Sequence, residues 1–172
     1  MPFKLISILF LSFISFKAYG EKVYYFAYGK TYKTSEFHFK DMTKEQTNAV
    51  IKNACAEMSA VSGLKIKPWS GKGPYHVIFD FYPKVTYNAI AVTKSKSGKA
   101  WIQFSNTRNS SVRIAMTAVQ HELFHKPIGY RASPSADKWG HAVSDACIFS
   151  IQNVAQYFCA PEIAYLRKRF GI

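Results

Sequence analysis

The sequence predicts an α+β domain organised around one mixed, twisted β-sheet, and three observations lead there. Five short stretches rich in aromatic and β-branched residues read as strands. Two longer stretches carry apolar residues at helical spacing. Their order is strand, helix, several strands, then a second helix, with no repeat, low-complexity tract or linker to divide the chain. A length of 172 residues suits one domain with its own core. A 48% hydrophobic content with 14 Phe and 11 Tyr excludes a disordered chain.

Residues 1–20 stand apart from that domain. Lys4 supplies a charged start, residues 5–16 form an apolar and hydroxyl run, and Ala18 and Gly20 offer the small residues a signal peptidase reads. The run is near 12 residues, against the ~20 that a spanning helix needs. We therefore expect a cleaved signal peptide over 1–20, a domain over 21–172, and a secreted or periplasmic protein.

The first strand is expected over Val23–Tyr28. Thr43 and Gln46 form a capping-box pair, Val50, Ala54, Met58 and Val61 follow at helical spacing, and Gly63 is placed to end that backing helix. Strands are expected over 64–67, 76–82, 89–93 and 100–105, with residues 94–99 as a hairpin connection around Ser97 and Gly98. Residues 106–111 read as a loop whose serine caps the next helix, which runs from Val112 with Ile114, Ala115, Ala118, Val119 and Leu123 as its apolar stripe.

The formal net charge is +13, and losing Lys4 and Lys17 with the first 20 residues leaves 21 basic against 10 acidic side chains. An exported protein with that balance favours anionic surfaces such as cell envelopes. No nucleic-acid-binding motif accompanies the charge, so no specific nucleic-acid partner is expected. Cys55, Cys147 and Cys159 are too few for a disulfide scaffold and form no metal-binding pair, so we expect one bridge and one buried thiol.

The stripe of the second helix runs directly into His121-Glu122-Leu123-Phe124-His125. Four residues is just over one helical turn, so both imidazoles project from one face and can share a metal ion. Glu122 lies about 100° around the helix, beside the metal rather than on it. Zinc at such a site lowers the pKa of a bound water towards ~7, and Glu122 is placed to take its proton. His121 and His125 are thus the expected ligands of a Zn²⁺ cofactor, and Glu122 the catalytic base. A catalytic zinc takes a third protein ligand. Pro127 and Gly129 can turn the chain back towards the metal, and Asp137, His141 and Asp145 lie on the return path. His141 is the expected ligand by donor type, with Asp145 orienting it and Asp137 as the other candidate. His38 and His76 read as ordinary strand histidines.

On these residues the chain resembles the zincin metallopeptidases, whose shared plan is a sheet, an edge strand and a His-Glu-x-x-His helix. The resemblance implies a peptidase that binds a protein or peptide along its edge strand, expected here at 100–105. Residues 140–150 and a closing helix over 160–171 are similar to the matrixin-like metzincins. Ile128 and Arg131, however, stand where that group has its glycine and third histidine. The spacing of His141, Asp145, Ile148, Ile151, Val154 and Phe158 instead resembles a short gluzincin-like or SprT-like layout with a second ligand helix. An aspzincin-like layout would promote Asp137. A continuous helix over 143–158 would hold Cys147 and Cys159 about 18 Å apart, whereas a metzincin turn could join them. The subgroup stays open, as does a rival function: a non-catalytic, zinc-stabilised cationic domain that adheres to anionic envelopes.

Overall fold

The computed structural model describes residues 23–85, 91–107, 111–125, 127–130 and 158–170. The expected signal peptide and the segment bearing Asp137, His141 and Asp145 lie outside them. Among the described residues the chain is an α+β fold: a five-stranded mixed sheet with four helices. In chain order these are β1 (Val23–Tyr28), α1 (Lys30–Thr34), α2 (Lys44–Ser62), β2 (Lys65–Pro68), β3 (Val77–Tyr82), β4 (Ala91–Lys96), β5 (Lys99–Ser105), α3 (Val112–Phe124) and α4 (Ala160–Phe170). No described helix is long and apolar enough to cross a membrane.

The sheet order is β2-β1-β3-β5-β4, with every neighbouring pair parallel except β4 with β5. This corrects the edge expected at 100–105. That segment, β5, is interior, and among the described residues the antiparallel strand β4 forms the edge instead. The connection between them is also tighter than expected. Lys96 pairs with Lys99, and only Ser97 and Gly98 turn, both at positive φ (50° and 76°). Two such residues match the twist of the flanking strands, the usual solution for a two-residue hairpin.

The helix signals read from sequence are built as expected. Thr43 Oγ1 accepts from the Gln46 N–H at 3.2 Å, and Gln46 Oε1 accepts from the Thr43 N–H at 2.7 Å. At the other end Gly63 adopts φ +64° and its N–H reaches the Ser59 carbonyl. Val50, Ile51, Ala54, Cys55 and Met58 of α2 are buried against Phe26, Phe79, Phe81, Ile102 and Phe104 of the sheet and Ala115, Ala118 and Val119 of α3. Ile114 departs from its expected place in the stripe and is 39% exposed, because α3 turns its first residues outward. Burial pushes the Cys55 thiol up to about 12, so it packs as a small apolar group.

Polar contacts fix α3 to α2. Arg113 Nη1 reaches both Glu57 carboxylate oxygens at 2.9 Å. Gln120 Nε2 donates to Glu57 Oε2 at 2.7 Å and to the Ala54 carbonyl at 3.2 Å. Gln120 immediately precedes His121, so these bonds set the rotation of the helix at the motif.

The short helix α1 left no sequence signal, because a long-range partner holds it. Buried Asp80 accepts from the Tyr32 N–H at 2.7 Å, the Phe81 N–H at 3.1 Å and the Tyr82 hydroxyl at 3.0 Å. Gly29 leaves room for that carboxylate: a Cβ there would lie 2.2 Å from Asp80 Cγ. Its φ of −69° is ordinary, so the requirement is space rather than backbone freedom. Gly29→Ala is expected to destabilise the fold by about 1–3 kcal/mol, the usual cost of overpacking. Urea denaturation checks this, and an unchanged midpoint would contradict it.

Candidate metal centre

The end of α3 is where the chemistry-bearing residues gather. His121 and Glu122 are buried, and His125, the residue capping the helix, is half-buried. Their candidate ligand atoms all lie within 4.8 Å of one another. The two imidazole rings are 5.2 Å apart by centroid and inclined at 70°, edge to face rather than stacked. Two imidazole nitrogens one helical turn apart suit zinc, which takes nitrogen donors at ~2.0–2.1 Å. The carbonyl end of a helix also carries partial negative charge that favours a cation.

Sequence reasoning did not find the partner of Glu122. Thr93 in β4 places its hydroxyl 2.6 Å from Glu122 Oε2 and 3.1 Å from the Glu122 carbonyl. The side chain therefore holds the carboxylate and covers a helix-end carbonyl at once. Pairing opposite Ile102 puts Thr93 on the core face of the sheet, towards α3. Strand alternation carries that signal, but it becomes readable only once β4 is extended to Lys96 and recognised as the edge. Burial pushes the Glu122 carboxyl up to about 7, while the Thr93 hydroxyl acts in the opposite direction. A bound cation would favour its ionised form.

The helix ends as the Pro127 and Gly129 signals predict. Gly129 takes φ +71°. The N–H groups of Ile128, Gly129 and Tyr130 close onto the carbonyls of Leu123, His125 and Phe124 at 3.1, 2.6 and 2.9 Å. Helix α4 braces this turn. The Tyr165 hydroxyl donates to the Gly129 carbonyl at 2.9 Å, its ring lies 4.8 Å from that of Tyr130, and Tyr130 packs in turn on Phe124.

No protein-family model matches the chain, and no curated protein matches it.

The remaining expected site residues fall in two groups. His141, Asp137 and Asp145 lie outside the described residues. His38 and His76 are away from the cluster. The His38 ring bonds the Phe39 carbonyl, and the His76 ring accepts from the Tyr25 N–H at 3.0 Å while packing on Tyr24. Cys159 is disulfide-bonded and Cys55 is a buried free thiol, as one bridge and one buried thiol would have it, while Cys147 lies outside the described residues.

Proposed function

We propose that this chain is an exported zinc-dependent peptidase of the zincin type, with residues 1–20 as its signal peptide. The observation that carries the reading is the convergence of His121, Glu122 and His125 at one helix end, within 4.8 Å of one another. The antiparallel edge strand β4 beside it adds support, since a sheet, an edge strand and a His-Glu-x-x-His helix are the shared plan of that group.

In this reading His121 and His125 hold the zinc, and His141 supplies the third donor. When bound, zinc lowers the pKa of a water and polarises the scissile carbonyl. Glu122 takes the proton of the attacking water and passes it to the leaving amine. Thr93 keeps the carboxylate aimed at that water. A substrate peptide lies extended along β4, adding backbone hydrogen bonds to the sheet edge. The subgroup and the alternatives at Asp137 and Asp145 are decided by ligand identity.

Thr93→Val keeps the shape of the side chain and removes its hydroxyl. It is expected to leave zinc affinity unchanged and to lower kcat about ten-fold or more, the worth of a hydrogen bond to a charged group. A wild-type kcat would separate Thr93 from the mechanism.

The reading itself is tested by incubating the purified protein with a diverse peptide library. Cleavage is expected, lost on adding a zinc chelator and restored by stoichiometric zinc. Cleavage indifferent to chelation, or none from the zinc-loaded protein, would contradict it.

A further inference from the structure

The strands carry five lysines, Lys65, Lys67, Lys94, Lys96 and Lys99, and α4 carries a second basic run at Arg167, Lys168 and Arg169. Between Leu64 and Thr107 the sequence carries seven lysines and one carboxylate, Asp80, which is buried beneath its hydrogen bonds. The α1 and α2 region, residues 30–62, is nearly balanced, with five lysines against four acidic residues. Strand register brings several of the sheet lysines to one side. Lys94 pairs with Trp101 and Lys96 with Lys99, opposite to the face on which Thr93, Ile102 and Phe104 meet the core. The same face continues through Ile78, beside Trp101, and Ala27 to Tyr25, which pairs with Lys67. Lys67, Lys94 and Lys96 are exposed, and Trp101 is half-buried.

The aromatic rings on this side are already partnered. Lys96 Nζ sits 4.4 Å from the centre of the Trp101 ring, and Lys99 Nζ sits 3.6 Å from that of Tyr75. An ammonium group on one face of each of these two rings leaves less of the open stacking platform that single-stranded nucleic acid needs. The segment also has no arginine, the residue suited to forked recognition of a single phosphate. Lysines as compact charges beside tryptophan and tyrosine are instead the combination that favours the headgroup layer of an anionic membrane.

We propose that the sheet face carrying Lys67, Lys94, Lys96 and Trp101 docks onto an anionic phospholipid surface. Apart from any substrate along β4, it would hold the protein at the bilayer with the helical side, including α3, turned away. The docking does not depend on metal binding.

The test is co-sedimentation of the full chain with phosphatidylcholine vesicles containing phosphatidylglycerol. Neutral phosphatidylcholine vesicles measure whatever the apolar run over 5–16 contributes. The wild type is expected to bind the anionic vesicles more tightly and to weaken as salt rises. Lys94→Glu with Lys96→Glu is expected to lower that affinity on the order of ten- to a hundred-fold. Trp101→Ala should cost roughly a few-fold, from loss of the interfacial ring. Lys52→Glu with Lys168→Glu makes the same change in net charge at exposed positions of α2 and α4, which pack on one another, and is expected to stay within about two-fold of wild type, the contribution of distant screened charge being small. Equal losses from the two double variants would reduce the effect to net charge and overturn the proposal. So would unchanged binding of the Lys94/Lys96 variant, or tighter binding of a single-stranded oligonucleotide than of the anionic vesicles at the same salt. Circular dichroism on each variant separates lost binding from lost fold.

Discussion

Glu122→Gln is expected to retain zinc and fold while losing peptide hydrolysis by on the order of a hundred- to ten-thousand-fold, the range for removing a positioned general base. The two side chains have nearly the same shape. The amide oxygen can still accept from the Thr93 hydroxyl, which lies 2.6 Å from Glu122 Oε2 in the wild type. What disappears is the capacity to take and return a proton. Removing a carboxyl whose ordinary range is already raised to about 7 by burial should not destabilise the helix end. Hydrolysis at the wild-type rate, measured alongside zinc content, would remove Glu122 from the mechanism.

The second large effect is on the metal. His121→Ala or His125→Ala should each weaken zinc binding by more than the ~10–100-fold typical of losing a ligand's outer hydrogen-bond partner, because each removes a direct donor. His141→Ala should match them if it is the third ligand. Asp145→Ala should fall within that ~10–100-fold range, and Asp137→Ala should be close to neutral. Competition with a chromogenic chelator gives the affinities. If Asp137→Ala proves the most damaging of these last three and His141→Ala the least, the aspzincin-like layout is correct and the ligand assignment made here is wrong.

Local signals were the legible part of this fold. The Thr43 and Gln46 cap, the Gly63 terminator, the Ser111 cap, which accepts from the Ile114 N–H, and the turn at Pro127 and Gly129 each depend on residues a few positions apart. The trio His121, Glu122 and His125 was readable for the same reason, since helical geometry alone brings it together. Features set by distant contacts were not. Helix α1 depends on Asp80, 48 positions from Tyr32, and Thr93 meets Glu122 across 29. Strand order belongs to this second kind. The β4 sequence ends in Lys94, Ser95 and Lys96, which read as a polar loop until pairing with Trp101, Ala100 and Lys99 makes them an edge strand.

Zinc K-edge X-ray absorption on metal-loaded protein of known stoichiometry tests the central claim most directly. The account predicts one zinc per chain, held by three nitrogen donors at ~2.0–2.1 Å with a remaining position open to exchangeable oxygen. That shell should fall to two protein nitrogens in His121→Ala. A protein that takes up no stoichiometric zinc would contradict the account. A closed shell of four protein donors would contradict it differently, assigning the metal to the stability of a non-catalytic cationic domain.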